Sequence, residues 1–170
     1  MITSHLSGEK ITSTSTEAFS LFEKSRFGEK KNSKIEYSLV ETLYLLQKNK
    51  LSILQNKKQI DFDALLKKVK RTDKRIETKL PVYTALRNRG YILKTALKFG
   101  ADFRVYKKGI KPGQDHALWV LFCVREQENQ TWYDFAAKNR VAHSTKKKLL
   151  IGIVDDESDV TFYEVSWVKP

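Results

Sequence analysis

The sequence predicts an α+β (mixed α/β) protein: a small N-terminal α/β domain, then a C-terminal domain with a five-stranded mixed sheet flanked by helices. Two observations lead to this expectation. Apolar residues recur at helical spacing between Ser38 and Val69, whereas β-branched and aromatic runs crowd into the chain after Tyr91. The chain has 170 residues and 41% apolar content, enough for one large or two small cores.

The first 34 residues are polar and carry only short apolar pieces, such as residues 18–22. This composition favours short strands with loops or partial disorder. The pattern changes at Ser38, where an N-cap serine is followed by Glu41 at the third helical position, a capping box on a core helix. Residues 51–54 follow as a candidate strand, and Asp61 is the candidate N-cap of a second helix.

The stretch from Lys67 to Lys79 is highly charged and suits either a solvated helix face or an interdomain linker. We place the boundary near residue 78, which gives domains 1–78 and 79–170. Pro81 suits the first turn of a further helix that ends at Gly90, a typical C-terminal glycine.

The second domain is predicted to follow the order α-β-β-β-α-β-β. A helix is expected from Thr131 to Lys138. The strands are expected at Tyr91–Leu97, Phe103–Tyr106, Ala117–Val124, Leu149–Val154 and Val160–Trp167.

The formal net charge of +12 favours a polyanionic partner, either nucleic acid or an anionic membrane surface. No apolar run approaches the ~20 residues that span a bilayer, and the N-terminus lacks a signal-peptide core. We therefore expect no membrane-embedded part and a soluble, intracellular, cytoplasmic protein. Cys123 lies in an apolar run and is expected to be a buried structural thiol. One Cys and three scattered His resemble no zinc site, so no metal and no cofactor are expected, although counting leaves carboxylate-bound Mg²⁺ open.

Three motifs in the second half occur in a distinctive order. The first runs from Arg89 to Tyr106 and contains Gly-Ala-Asp-Phe-Arg-Val-Tyr; the second is His116 before an apolar strand; the third runs from Arg140 through Lys147 to Asp155. Together they resemble the catalytic domain of archaeal tRNA-splicing endonucleases. The resemblance covers residues 79–170 closely, and Phe27-Gly28 and residues 38–46 more loosely. It implies an N-terminal domain that serves structure and assembly.

The resemblance places the family's catalytic Tyr, His and Lys at Tyr106, His116 and Lys147. It implies cleavage of precursor tRNA at both intron boundaries in a bulge-helix-bulge motif, without metal, by attack of the ribose 2′-hydroxyl. His116 would protonate the leaving oxygen, and Lys147 would stabilise the phosphorane. Tyr106 is either the general base or a group that positions the 2′-hydroxyl, because a free phenol titrates near 10.

The same resemblance suggests two sets of binding residues. Arg140 matches an arginine that holds a bulged nucleotide, and Trp167 is either the second face of that clamp or an ordinary core or interface tryptophan. Residues 155–159, the turn with Asp155, Asp156, Glu157 and Asp159, match an acidic oligomer contact, or else form a solvated hairpin turn. Ser158 stands there where relatives often carry glycine, and Thr145 and Gly152 replace the usual Val and Ala.

The implied partners are precursor tRNA and further subunits, in a homotetramer or a heterotetramer with a structural subunit. Lysines outside the trio should add phosphate contacts and a steep salt dependence of binding: Lys107, Lys108, Lys111 and Lys146. A non-catalytic RNA-binding structural subunit is the alternative, and the complete trio argues against it. A metal-dependent DNA nuclease is more distant, because Glu126, Glu128 and Asp134 form no convincing carboxylate cluster.

Overall fold

Residues 1–170, all described by the computed structural model, form two mixed sheets, one in each of two units, Met1–Leu80 and Pro81–Pro170. The predicted α+β class is confirmed. None of the helices is both long and apolar enough to cross a membrane.

The first unit contains a six-stranded sheet in the order β3-β4-β2-β1-β5-β6, in which only β1 and β5 run parallel. The strands are β1 (Ile2–Ser7), β2 (Lys10–Ser13), β3 (Glu29–Lys31), β4 (Lys34–Tyr37), β5 (Leu51–Gln55) and β6 (Lys58–Ile60). The helices are α1 (Thr16–Ser25), α2 (Leu39–Gln47) and α3 (Phe62–Thr72).

Helix α2 begins with the predicted capping box. The Glu41 backbone N–H donates to Ser38 Oγ at 3.4 Å, and the Glu41 carboxylate accepts from the Ser38 backbone N–H at 3.0 Å. The same buried carboxylate accepts from the Gly28 N–H at 3.1 Å. At Gly28 the φ angle is +77°, and an added Cβ would lie 2.4 Å from Ile35 Cγ2, so only glycine fits this approach. The predicted Asp61 cap of α3 is also confirmed.

The expectation of short strands with loops over residues 1–34 is confirmed for β1, β2 and β3, but it is wrong at residues 18–22, which belong to helix α1. Ser15 caps this helix by accepting from the Ala18 N–H, and Ala18 is fully buried. A short amphipathic helix with a single fully buried side chain gives only a weak periodic signal.

Helix α4 (Ile76–Asn88) begins earlier than predicted, so Pro81 lies in its interior rather than in its first turn. Burial of Ile76 and Leu80 favours helix before the proline, and Pro81 removes only one backbone donor. Only three residues separate α3 from α4. The charged stretch is therefore mostly helical. The predicted C-terminal glycine is present, since Gly90 adopts φ +90° and the Tyr91 N–H donates to the Leu86 carbonyl.

The second unit contains a five-stranded sheet in the order β11-β10-β9-β8-β7, with β9 and β10 parallel and every other pair antiparallel. The strands are β7 (Ile92–Ala96), β8 (Ala101–Tyr106), β9 (Trp119–Arg125), β10 (Lys148–Val154) and β11 (Val160–Val165). All five lie where the sequence predicts them. The fully buried, free Cys123 lies in β9.

Helices cover both faces of this sheet. On one face α4 brings Tyr83 against Phe103, with ring centroids 5.6 Å apart. On the other, α5 (Trp132–Ser144) buries Ala142 against Val120 and Leu149. Helix α5 has Thr131, the first residue of the predicted helix, as its N-cap, but it extends six residues beyond Lys138, the predicted end, because Ala142 continues its apolar contact.

Candidate active site

The three residues that the resemblance assigns to catalysis come to one end of the second sheet. The Leu118 N–H donates to the Val105 carbonyl at 2.8 Å, and the Lys148 N–H donates to the Leu118 carbonyl at 3.0 Å. This pair of bonds aligns the end of β8, the segment before β9 and the start of β10. Tyr106 and Lys147 are each one residue from this line, and His116 is two residues from it.

Tyr106 and Lys147 project from the same face of the sheet. Arg104 is the Cα partner of Val120, and Val120 is the partner of Leu149. Alternate residues of a strand share a face. Tyr106 follows Arg104 by two positions, and the Lys147 Nζ lies over Phe99, which packs on Val120 and Leu149, so both lie on the face that α5 covers. Their strands are two spacings apart, about 10 Å.

The Tyr106 ring is buried while its hydroxyl reaches the surface. The side chain is 5% exposed and packs with Ile92 and Ala117. No protein group bonds the hydroxyl, and it is not among the buried polar atoms that lack a partner. The packed ring thus fixes the position of a phenol whose hydroxyl has no protein partner.

His116 lies in the loop between β8 and β9 and is exposed. Its backbone N–H donates to Asp115 Oδ1 at 2.7 Å. The next residue, Ala117, is buried against Tyr106, so one wall of the Tyr106 pocket also anchors His116.

Lys147 is half-buried immediately after a tight turn. Lys146 adopts φ +55°, and the Lys147 N–H donates to the Ala142 carbonyl at 2.9 Å, which turns the chain from α5 into β10. The Lys147 Nζ donates to the Thr145 carbonyl at 2.8 Å. Burial lowers the pKa of the Lys147 ammonium, and the nearby Arg104 guanidinium lowers it further.

A groove of about 690 Å³ lies between α5 and the segment after β11, and both predicted nucleotide-binding residues line it. Arg140 is exposed on α5, and Trp167 is 64% exposed beyond the end of β11, which stops at Val165. The Trp167 ring makes an edge contact with His143, with centroids 4.2 Å apart. Trp167 is therefore not a core residue of this chain, and His143 supports its ring.

The acidic turn between β10 and β11 has a defined internal structure. Asp155 Oδ1 accepts from the backbone N–H groups of Glu157 and Asp159, at 3.0 and 2.8 Å. Ser158 adopts φ +68°, the left-handed conformation that glycine favours, so the serine keeps the turn at a conformational cost. Asp155, Glu157 and Asp159 each place one carboxylate oxygen within 4.8 Å of the others, and Asp156 is exposed beside them.

Three residues near these groups were not predicted from the sequence. His143 lies three residues after Arg140, a spacing that puts both on one helix face. Arg104 alternates with Tyr106 along β8, which indicates a shared sheet face. Phe99, which contacts Arg104 and Lys147, had no comparable signal, because its position depends on a local turn.

Comparison with known proteins gives two family matches that together span most of the chain. Residues 2–66 match the tRNA intron endonuclease N-terminal domain, and residues 76–162 match the tRNA intron endonuclease catalytic C-terminal domain. The second match contains Tyr106, His116, Lys147 and Arg140, and ends before Trp167.

The curated relatives include several archaeal proteins named tRNA-splicing endonuclease. One from Nanoarchaeum equitans is 48% identical over 141 residues, covering 79% of this chain and 90% of the relative. One from Pyrococcus abyssi is 37% identical over 97% of this chain and 95% of its own length. One from Methanothermobacter thermautotrophicus is 36% identical, with 97% and 96% covered.

Proposed function

Because the chain belongs to the tRNA intron endonuclease family, we propose that it is a catalytic subunit that cleaves precursor tRNA at both intron boundaries within a bulge-helix-bulge motif. The observation that carries this proposal is the convergence of Tyr106, the His116 loop and Lys147 at one end of the sheet. A sheet end with an open phenol, an exposed imidazole and a held ammonium suits RNA transesterification.

In the proposed reaction the ribose 2′-oxygen loses its proton and attacks the adjacent phosphorus in line. The bond from phosphorus to the 5′-oxygen breaks, which leaves a 2′,3′-cyclic phosphate and a 5′-hydroxyl. His116 gives its proton to the departing 5′-oxygen, a role suited to imidazole because a histidine in water titrates near 6.5. Since the RNA supplies the nucleophile, the proposed chemistry needs no metal ion.

Lys147 stabilises the negative charge on the non-bridging phosphorane oxygens. Its hydrogen bond to the Thr145 carbonyl fixes the ammonium before substrate binds, which reduces the reorganisation needed during reaction. Tyr106 receives the 2′-hydroxyl proton or holds that hydroxyl in line. Its buried ring and open hydroxyl support either role.

The groove between α5 and the C-terminal segment is proposed to hold a bulged nucleotide. Arg140 and Trp167 offer a guanidinium and an indole, the two kinds of surface on which bases stack, worth roughly 1 to 3 kcal/mol per base. The open volume beside Trp167 favours this clamp over a purely structural tryptophan.

Two cuts require two active sites at a fixed separation, so we propose an oligomer, either a homotetramer or a heterotetramer with a structural subunit. The first unit is proposed to serve assembly. Crowded carboxylates at Asp155, Glu157 and Asp159, with Asp156 alongside, favour a cationic surface on another subunit.

The alternative is a non-catalytic structural subunit that binds RNA. The presence of Tyr106, His116 and Lys147 at one sheet end favours catalysis, because a purely structural subunit has no need of all three.

The test is cleavage of a synthetic bulge-helix-bulge RNA by purified protein in EDTA, comparing wild type with His116→Ala. We expect two symmetric cuts with cyclic phosphate ends, and a rate about 10²- to 10⁴-fold lower in the variant. His5→Ala is the matched control, since His5 is exposed on β1 in the other unit. Full activity of His116→Ala would refute the assignment. If wild type is inactive alone, adding a candidate structural subunit decides between a missing partner and a non-catalytic chain.

A further inference from the structure

Phe99 contacts two cationic side chains beside the candidate active site. The Lys147 Nζ lies 5.4 Å from the centroid of the Phe99 ring, and the Arg104 Cζ lies 6.0 Å from the same centroid. Both distances are within the range of cation–π attraction. One aromatic ring therefore contacts two positively charged side chains.

The ring is held by the fold rather than by the cations. Phe99 ends a 3₁₀ turn, Leu97–Phe99, that closes with the Gly100 N–H donating to the Leu97 carbonyl at 3.0 Å. Its side chain packs on the core cluster that includes Ala96 and Val120. Phe99 is thus a fixed surface against which flexible cationic side chains can settle.

Each cation has a second contact that limits its movement. The Lys147 Nζ donates to the Thr145 carbonyl at 2.8 Å, and the Arg104 Nε donates to the Thr95 carbonyl at 3.3 Å. Both contacts are to neutral groups. Neither cation forms an ion pair with a carboxylate.

Two like charges without a carboxylate leave a site with a net attraction for anions. Burial is the main cause of the lowered pKa of Lys147, and the Arg104 guanidinium lowers it further. This agrees with repulsion between the two cations. A bound anion would relieve this repulsion. A guanidinium can give two parallel hydrogen bonds to phosphate oxygens, whereas an ammonium acts as a point charge.

We propose that Arg104 and Lys147 form a two-cation subsite for a phosphodiester, and that Phe99 is the positioning residue that holds both. Arg104 lies on the same sheet face as Tyr106 and two residues before it, so the bound phosphodiester is the one at the cleavage site. This last assignment rests on the proposed function. Arg104 then binds the reacting phosphate directly and adds to the charge that Lys147 supplies.

The test combines protein variants with a chemical change in the RNA. A bulge-helix-bulge RNA with 2′-deoxyribose at both cleavage positions cannot be cut, and its scissile phosphates are either normal or replaced by uncharged methylphosphonates. We expect wild type to bind the RNA with normal scissile phosphates at least about tenfold more tightly than the methylphosphonate RNA, because one charged hydrogen bond contributes an affinity of this size. The ratio of these two affinities is the quantity compared between variants. Because Lys147 still contacts the phosphate, Arg104→Gln should lower this ratio severalfold, to the part that Lys147 alone supplies, and Arg104→Lys should lower it less.

Lys138→Gln is the matched control for loss of one positive charge. Lys138 also lies over an aromatic ring, with its Nζ 5.6 Å from the Phe122 centroid, on the face that α5 covers. Lys138→Gln should weaken binding of both RNAs equally and leave the ratio of the two affinities unchanged. Phe99→Leu keeps an apolar side chain but loses the ring, so the ratio should fall, while Phe99→Tyr should restore it.

These outcomes separate the subsite from the proposed cleavage. Equal discrimination by wild type and Arg104→Gln, or none by wild type, overturns the subsite whether or not natural RNA is cut. Discrimination that falls in Arg104→Gln but not in Lys138→Gln supports the subsite even if the 2′-hydroxyl RNA is left intact, in which case only the proposed cleavage fails. Equal affinity ratios for Phe99→Leu and wild type would show that Phe99 does not position Arg104 and Lys147.

Discussion

Tyr37, in β4, is a buried phenol, and we expect it to make the stability of the first unit sensitive to alkaline pH. The side chain is 3% exposed, and its hydroxyl has no hydrogen-bond partner. Burial raises the pKa of Tyr37 far above its usual value, and the Glu41 carboxylate raises it further. The folded state therefore keeps the phenol neutral after the unfolded chain, with a pKa near 10, begins to ionise.

The sign of the pH effect follows from this difference. Above about pH 10 the folded state binds more protons than the unfolded state, so stability is present below that pH and falls as pH rises towards the folded pKa. We expect Tyr37→Phe to flatten the decline between pH 9 and 11 and to be neutral or slightly stabilising at pH 7, since it removes an unpaired buried hydroxyl.

Urea unfolding at a series of pH values measures this effect. Tyr163→Phe is the control, because Tyr163 is 55% exposed and should leave the alkaline slope unchanged. An identical slope for Tyr37→Phe and wild type would show that Tyr37 does not set the alkaline limit.

Single residues could be predicted only where they belong to a recognisable motif. Tyr106, His116 and Lys147 were predicted in this way, and the structure brings their segments to one end of the sheet. Phe99 and Arg104 lie in the first motif but were not assigned a role, because the contact of Phe99 with Lys147 forms only when the 3₁₀ turn and the start of β10 fold together. A contact between residues that far apart in sequence leaves no local pattern.

Gly152 shows how closely helix α4 packs on strand β10. A Cβ added at Gly152 would lie 2.8 Å from Val82 Cγ1 and 3.2 Å from Val82 Cγ2. Valine in a helix has one strongly preferred rotamer and cannot easily turn aside. We expect Gly152→Ala to destabilise the protein by about 1 to 3 kcal/mol, the usual effect of overpacking.

A double-mutant cycle with Val82→Ala tests this cause. Removing the two methyl groups relieves the closest contacts of the new Cβ and leaves Phe162 Cε1, at 3.3 Å, as the closest remaining contact, so Gly152→Ala should cost much less in that background. The free energies of unfolding of the four proteins give the coupling directly. Additive effects would mean that strain elsewhere, and not contact with Val82, is responsible.

Elements with strong periodicity and clear caps were predictable, and marginal elements were not. Helix α2 has both signals, and the five strands of the second sheet are marked by β-branched and aromatic runs. The predicted start of α4 was wrong. The preference of proline for the first turn of a helix was outweighed by the burial of Ile76 and Leu80. The end of α5 was missed because Ala142 is the one fully buried residue of this helix, which leaves a weak periodic signal in its last turns.

For the whole molecule, the proposed two-site cleavage has a consequence that one chain alone cannot show. Tyr106, His116 and Lys147 all belong to the second unit of the same chain, so each subunit should carry a complete site. An inactive subunit then disables only its own site. Excision of an intron in one binding event needs two active subunits in one oligomer.

Mixed oligomers of wild type and His116→Ala, prepared by unfolding and refolding the two chains together, test this arrangement. We expect single-turnover release of the intron to fall as the square of the wild-type fraction, while singly cut RNA accumulates, because subunits assemble at random into symmetric positions. Mixing with His5→Ala should change nothing. If intron release instead falls linearly with the wild-type fraction, one site makes both cuts, and the requirement for two active subunits is wrong.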